Sequence, residues 1–215
     1  MTQLTDLITK LSNDTKPLKP TLKPGKWVIY LLCGFGFYAA LSQAILGIRT
    51  DLAMQFTRLL FSLEIILMFS LFITSIIAAV LNIYPDLYQK PKLLKLPYIL
   101  FCLILTLFIC QLFIEDDSKT VIPQVIFHKI ECASCIVFLA FIPTLVIFTI
   151  LRKGATIRPL QAGLFAALAA SSLGYLILRF SEANDSITHL LIWHYLPMLL
   201  FALFGALLGK WLLKW

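Results

Sequence analysis

Six long apolar runs constrain the fold of this chain more than any other feature of its sequence. Each is close to the roughly 20 residues that an α-helix needs to cross the hydrocarbon core of a bilayer. Helices are required because backbone amides in lipid must be hydrogen-bonded within their own segment, and no run alternates like a transmembrane β-strand. The sequence therefore predicts an all-α polytopic membrane protein with six transmembrane helices. The predicted spans are 27–48, 59–83, 96–114, 132–151, 160–180 and 193–213.

The spans leave little chain outside the bilayer. Because 60% of the residues are hydrophobic and only 13% are charged, a soluble domain could not bury the apolar surface. The first run starts at Trp27, after a polar tail, and is too long for the core of a signal peptide, so it is interpreted as the first span. We predict a tail, residues 1–26, followed by a six-helix bundle, residues 27–215.

Lys and Arg are unevenly divided between the two sides of the predicted bundle. The tail, the 84–95 and 152–159 loops and the C-terminal end hold 13 of the 18 basic residues, and the opposite side holds 5. The positive-inside rule places the richer side, and both termini, in the cytoplasm. The net charge of +7 is then a signature of topology, and we expect no direct contact with nucleic acid.

The tail begins with an amphipathic pattern. Leu4, Leu7, Ile8 and Leu11 lie at i, i+3, i+4 and i+7, so a helix would place them on one face. The segment 16–24 that follows is rich in Pro and Lys, which predicts an extended tether. The apolar face could lie on anionic lipid or dock into a groove on a soluble protein.

Glu64 lies inside the second predicted span. A carboxylate within a membrane span is costly, so such residues are candidates for a functional site. The alternative is a hydrogen-bonded side chain that faces the bundle.

The start of the fourth span carries a group of metal-ligand residue types. His128, Cys132 and Cys135 fall within about two helical turns, a spacing that could hold a thiophilic metal. The two thiols could also form a disulfide in an oxidising periplasm, or pack as small apolar side chains.

His189 and His194 lie at the start of the sixth span. Trp193 and Tyr195 beside them are typical of an interfacial aromatic belt, and the alternative is that the two histidines belong to the outer candidate residues.

Motifs of catalysis are missing from the sequence. It contains no H-E-x-x-H and no P-loop, and we predict neither enzyme activity nor a cofactor. The candidate residues all fall on the predicted outer side, whereas the amphipathic tail is inside. That separation favours a sensor.

Several segments carry the pattern of a known family. The most specific is the Arg-x-Gly-Ala-x-x-Arg-Pro loop that begins at Arg152, and Leu63-Glu64 and Cys132 with Ile136 add to it. The others are LTDLITKLSNDTKPLKP, GIRTDL, PTLVIFTILRKGATIRPLQAGLFAALAA, DSITHLLIWHYLP and GALLGKWLLKW. Through them the chain resembles, along nearly its whole length, the NrsF-type family of bacterial membrane anti-sigma factors, the negative regulators of sigma F.

The resemblance implies six spans and a cytoplasmic tail that sequesters an extracytoplasmic-function sigma factor until an envelope, metal or oxidant signal releases it. By residue match, Cys132 takes the position of the family's sensing cysteine. The family pattern has a second cysteine near Ser181, where this chain has serine. Cys135 is the candidate replacement.

The leading hypothesis is therefore an anti-sigma factor of the bacterial inner membrane, with the lipid bilayer and the sigma factor as partners. Leu4, Leu7, Ile8 and Leu11 would hold the sigma factor, and Glu64 would couple the bundle to them. The alternatives are a small metal or solute transporter that uses Glu64 and the outer Cys and His residues, and a structural or assembly protein of the membrane.

Overall fold

Six membrane-length helices and one short helix, Leu52–Gln55, make up the structure, a computed structural model that describes residues 9, 22–84, 91–114, 130–154 and 156–213. All six are long and apolar enough to cross a membrane, and the described ranges contain no strand. The predicted all-α, six-helix class is thereby confirmed. The helices are α1 (Pro24–Leu46), α2 (Leu59–Leu81), α3 (Pro91–Ile114), α4 (Ile130–Leu151), α5 (Pro159–Ser181) and α6 (Ile187–Leu212).

Several helices begin earlier than the hydropathy pattern indicated. Helices α1, α3 and α5 each start on a proline, whose missing N–H is not needed in the first turn of a helix. Helix α6 starts at Ile187 instead of residue 193, because the apolar residues that follow His189 continue the helix. Its segment Leu190–Tyr195 is a π-helical turn.

Helix α5 is the centre of the bundle. In its apolar stretch 83% of the residues are buried, against 17% for α1 and 22% for α3. It packs against α6, α4, α2 and α1. The outward faces of the other helices carry large apolar side chains such as Phe37, Phe113 and Phe138, which are 74%, 86% and 80% exposed. Such a surface suits a lipid environment.

Small residues allow α5 and α6 to approach until their backbones touch. A Cβ atom added to Gly163 would lie 2.2 Å from the carbonyl oxygen of Gly205, and one added to Gly209 would lie 2.3 Å from that of Pro159. Small side chains thus give α5 and α6 a tightly packed face. This contact fixes α6 against α5 in the part of the bundle where α5 begins and α6 ends.

The two ends of the bundle differ in chemistry. At the end where α1 and α5 begin, called the tail end, the Tyr84 hydroxyl donates to the carbonyl of Leu22, and Lys153 Nζ lies 5.9 Å from the centre of the Trp27 ring. At the opposite end, called the site end, α2, α4 and α6 begin. Charged and ligand-type side chains are buried together there.

We expect Gly163→Ala and Gly209→Ala each to lower the melting temperature of the detergent-purified protein. The added methyl group meets backbone atoms that cannot move aside, and overpacking of this kind costs about 1–3 kcal/mol. Gly36→Ala in α1 is the matched control, because its Cβ would meet nothing within 4 Å. An equal fall in melting temperature for the control would show that the α5–α6 contact is not the reason.

Candidate functional site

Glu64 is buried in an ion pair. Its Oε1 atom lies 2.8 Å from Nε of Arg179 and accepts a 2.6 Å hydrogen bond from the hydroxyl of Tyr175. Tyr175 and Arg179 are four residues apart on α5, so they project from the same face of the helix. The Glu64 and Arg179 side chains are only 4% and 3% exposed. The partners of Glu64 thus come from the central helix.

The ion pair continues into the loops of the site end. Arg179 Nη1 lies 2.6 Å from Asp185 Oδ1, and the same carboxylate accepts two 2.9 Å hydrogen bonds from Arg49. Arg49 in turn binds Asp51, with Nε 2.7 Å from Oδ1. The five alternating charges connect α2 and α5 to the α1–α2 and α5–α6 loops. We call Glu64, Arg179, Asp185, Arg49 and Asp51 the ion-pair chain.

Arginine contacts keep the loop carboxylates of the ion-pair chain ionised. Partial burial alone would raise the pKa of Asp185, but the hydrogen bonds from Arg49 and Arg179 outweigh it and lower that pKa. The pKa of Asp51 is likewise held well below its usual range, chiefly by the Arg49 guanidinium. Both side chains are therefore charged at any physiological pH.

A second group of side chains lies beside the ion-pair chain. The Cys132 Sγ atom is 3.5 and 3.4 Å from Oε1 and Oε2 of Glu182. The same carboxylate lies 3.0 Å from His189 Nε2 and 3.0 Å from His194 Nε2. One ligand atom from each of the four residues falls within 4.8 Å of the others. We call Cys132, Glu182, His189 and His194 the Cys-His cluster.

The π-helical turn brings the two histidines together. Residues five apart on an α-helix point about 140° away from each other, whereas the wider π turn aligns them. The ring centres of His189 and His194 are 5.0 Å apart. Both histidines are fully buried, so they do not face lipid as members of an interfacial belt would.

The polar atoms of the Cys-His cluster are incompletely satisfied. His194 shares a hydrogen bond with Glu182, but its Nδ1 atom has no hydrogen-bond partner among the described residues. Neither ring nitrogen of His189 has one, since its Nε2 is near the Glu182 carboxylate but outside hydrogen-bonding geometry. Burial raises the pKa of Glu182, yet the two imidazoles outweigh that effect and lower it, so the residue is a carboxylate.

Tyr175 links the two groups. Its hydroxyl binds Glu64 in the ion-pair chain, and its ring packs edge-on against His194, with ring centres 5.5 Å apart. The short loop between α5 and α6 makes a second link, because it carries both Glu182 and Asp185. The two groups are therefore in contact through Tyr175 and share one loop.

The predicted site residues are only partly brought together. Cys132 joins the cluster, whereas Cys135, three residues later, does not, and neither is in a disulfide. Ser181 turns its hydroxyl to Gln43, at 3.0 Å, and the adjacent Glu182 is the residue that reaches Cys132.

The remaining predicted site residues lie outside the described residues: Leu4, Leu7, Ile8, Leu11 and His128.

Sequence reasoning missed most of the partners. Arg49 and Arg179 are among the five basic residues counted on the outer side, and both side chains are buried. The signal that could have found Arg179 is its position inside a helical, apolar stretch, where a cation needs a nearby carboxylate. The spacing of His189 and His194 does not match an α-helical face and gave no such signal.

A family model described as NrsF, negative regulator of sigma F, matches residues 11–215. No curated protein and no solved structure matches the chain. The family match includes both groups at the site end and Leu11 of the tail. Leu4, Leu7 and Ile8 precede it.

We expect Arg179→Met to destabilise the protein more than any other single change in the ion-pair chain, because it leaves Glu64 buried without its cation. Losing one partner of a buried pair costs about 3–5 kcal/mol. In the double variant Glu64→Gln with Arg179→Met the loss should be smaller than the sum of the single losses, as measured by melting temperature in detergent. Arg58→Met, an exposed cation at the same end, is the control with the same charge change. Strictly additive losses would contradict the pairing.

Proposed function

The chain belongs to the NrsF family of negative regulators of sigma F, and on that premise we propose that it is a membrane-bound anti-sigma factor. The observation that carries the proposal is a family match over nearly the whole chain of a six-helix membrane protein. The protein would hold an extracytoplasmic-function sigma factor at the bacterial inner membrane. It would release the factor when an envelope, metal or oxidant signal arrives.

The tail is the proposed sigma-binding element. It is the longest segment outside the spans, and Leu4, Leu7, Ile8 and Leu11 would present an apolar face to a groove on the sigma factor. A helix this short is marginal in isolation, so contact with the sigma factor would also stabilise the helix. The Pro- and Lys-rich tether that follows would let it reach a soluble partner.

The root of the tail supports a link between tail and bundle. Leu22 accepts a hydrogen bond from Tyr84, which follows α2, and Trp27 in α1 lies beneath Lys153, which follows α4. A Cβ atom on Gly154 would lie 2.0 Å from Ile83 Cγ2, so the two connecting segments are also packed against each other. Relative movement of α2, α4 and α5 would therefore shift the residues that contact Leu22 and Trp27, where the tail leaves the bundle.

The basic side of the chain is the tail end, so the positive-inside rule would place the site end in the periplasm. Cys132 would then meet an outer signal, and Glu64 in the adjoining ion-pair chain would pass it to α2 and α5. Such a signal acts only if it interacts differently with the gripping and the released state of the protein. The alternative, a transporter that binds its substrate at Glu64, has less support because Arg179 already neutralises that carboxylate.

The test is membrane capture of a sigma factor: each extracytoplasmic-function sigma factor of the source organism is expressed in turn together with this chain to find the one that is captured. Wild type should hold the factor in the membrane fraction, and Leu7→Asp with Leu11→Asp should release it because two charges then interrupt the apolar face. Thr9→Asp with Asn13→Asp adds the same charge to the opposite face of the predicted helix and should still capture it.

Two results would count against the proposal. Capture by the Leu7→Asp, Leu11→Asp variant at the wild-type level would show that the apolar face of the tail does not bind the sigma factor. Absence of capture of every such factor by correctly inserted wild type would argue against anti-sigma activity. Insertion is checked in every case by the amount of full-length protein in the membrane fraction.

A further inference from the structure

We propose that the Cys-His cluster is a binding site for one divalent cation of the zinc class, with Cys132, Glu182, His189 and His194 as its ligands. The four residues come from α4, from the α5–α6 loop and from α6, where His189 directly precedes the π turn and His194 lies within it. Thiolate, imidazole and carboxylate are the groups that bind Zn²⁺ in proteins. The site differs from the His128, Cys132 and Cys135 set that the sequence indicated.

The spacing of the donors fits four-coordinate geometry. With usual zinc-to-ligand bond lengths, neighbouring ligand atoms of a tetrahedron lie ~3.3–3.8 Å apart. In the structure the thiol sulfur is 3.4 Å from the nearer carboxylate oxygen, and each imidazole nitrogen is 3.0 Å from a carboxylate oxygen. All four donors lie within 4.8 Å of one another, so only small side-chain adjustments are needed to surround an ion.

Unsatisfied nitrogen atoms point to a ligand. His189 is completely buried, yet neither of its ring nitrogens has a hydrogen-bond partner among the described residues, and its Nε2 lies among the other three donors. A buried polar group left in this state costs roughly 1–3 kcal/mol. A metal ion bonded to the Nε2 lone pair would remove that cost for one of the two nitrogens.

Charge also fits a divalent ion. On binding, the Cys132 thiol gives its proton to solvent, and the resulting thiolate together with the Glu182 carboxylate balances a 2+ ion. The two histidines bind as neutral imidazoles. Cys132 and Glu182 are each partly exposed whereas the histidines are buried, so the ion would enter past the sulfur and the carboxylate.

Occupancy would change the ion-pair chain. Glu182 and Asp185 lie in the same loop, and Tyr175 joins His194 to Glu64. An ion that draws Glu182 toward Cys132 ties α4 to that loop and so alters the position of Asp185 between Arg49 and Arg179. That this movement is the releasing signal rests on the proposed function, whereas binding of the ion does not.

The experiment is a Co²⁺ titration of the full-length protein, purified in detergent, reduced and treated with a chelator. Thiolate coordination to Co²⁺ gives a charge-transfer band in the near ultraviolet, and four-coordinate Co²⁺ gives intense visible absorption. We expect both to saturate at one equivalent and to disappear when Zn²⁺ is added, because Zn²⁺ binds such sites more tightly than Co²⁺.

Variants separate the cluster from other thiols. Cys132→Ser should abolish the charge-transfer band. His189→Gln, His194→Gln and Glu182→Gln should each weaken Co²⁺ binding by more than about tenfold, because losing even a residue that only contacts a ligand costs at least about that much affinity. Cys135→Ser is the matched control and should bind as wild type does, since Cys135 lies on the same helix outside the cluster. Melting temperatures without metal show whether each variant is folded.

Three outcomes would overturn the proposal: absence of saturable binding to folded wild type, a charge-transfer band that survives Cys132→Ser, or one that is lost in Cys135→Ser. If a ligand variant does not fold, the remaining ligand variants and the Cys135→Ser control still decide the question. The titration contains no sigma factor, so its failure would leave the capture result unchanged. Conversely, loss of capture in the tail variants would leave the metal result unchanged.

Discussion

The rest of the structure depends on one carboxylate and one guanidinium that are buried together at one end of an otherwise apolar bundle. Removing these groups from water is expensive, and their attraction offsets that cost only when geometry is good and the remaining polar atoms are satisfied. In this protein the Tyr175 hydroxyl donates a further hydrogen bond to Glu64, and Asp185 forms a second ion pair with Arg179. The helices that supply these partners are thereby fixed in register at the site end.

The same requirement explains why polar groups collect in one place. Asp185 is shared by two arginines, so the loop that carries it is held close to the α1–α2 loop and to the end of α5. Glu182 in that loop then falls beside Cys132 and the two histidines. The Cys-His cluster thus depends on the ion-pair chain, because the loop that positions Glu182 is anchored by Asp185.

The sequence predicted the helices because lipid leaves so few alternatives. Apolar length identified the six spans, although charged or polar residues near the ends, such as Lys26 and His189, made several look shorter than they are. It also identified Glu64 and Cys132 as unusual. It could not identify Arg179 as a partner of Glu64, or His189 and His194 as neighbours of Cys132, since these contacts depend on how helices pack and on a local π turn.

The π turn also has a geometric effect on the remainder of α6. A π turn takes up about one residue more than an α-helical turn, so everything after Tyr195 is rotated by about 100° relative to an uninterrupted α-helix. That rotation decides which face of α6 meets α5, and the glycines at 205 and 209 lie on that face. The helix can form its close backbone contact and align its two histidines only with this offset. Inserting or deleting one residue between 190 and 195 would rotate the glycine face of α6 relative to the two histidines. The backbone contact with α5 and the alignment of the histidines could then not form together, even if every side chain involved were kept.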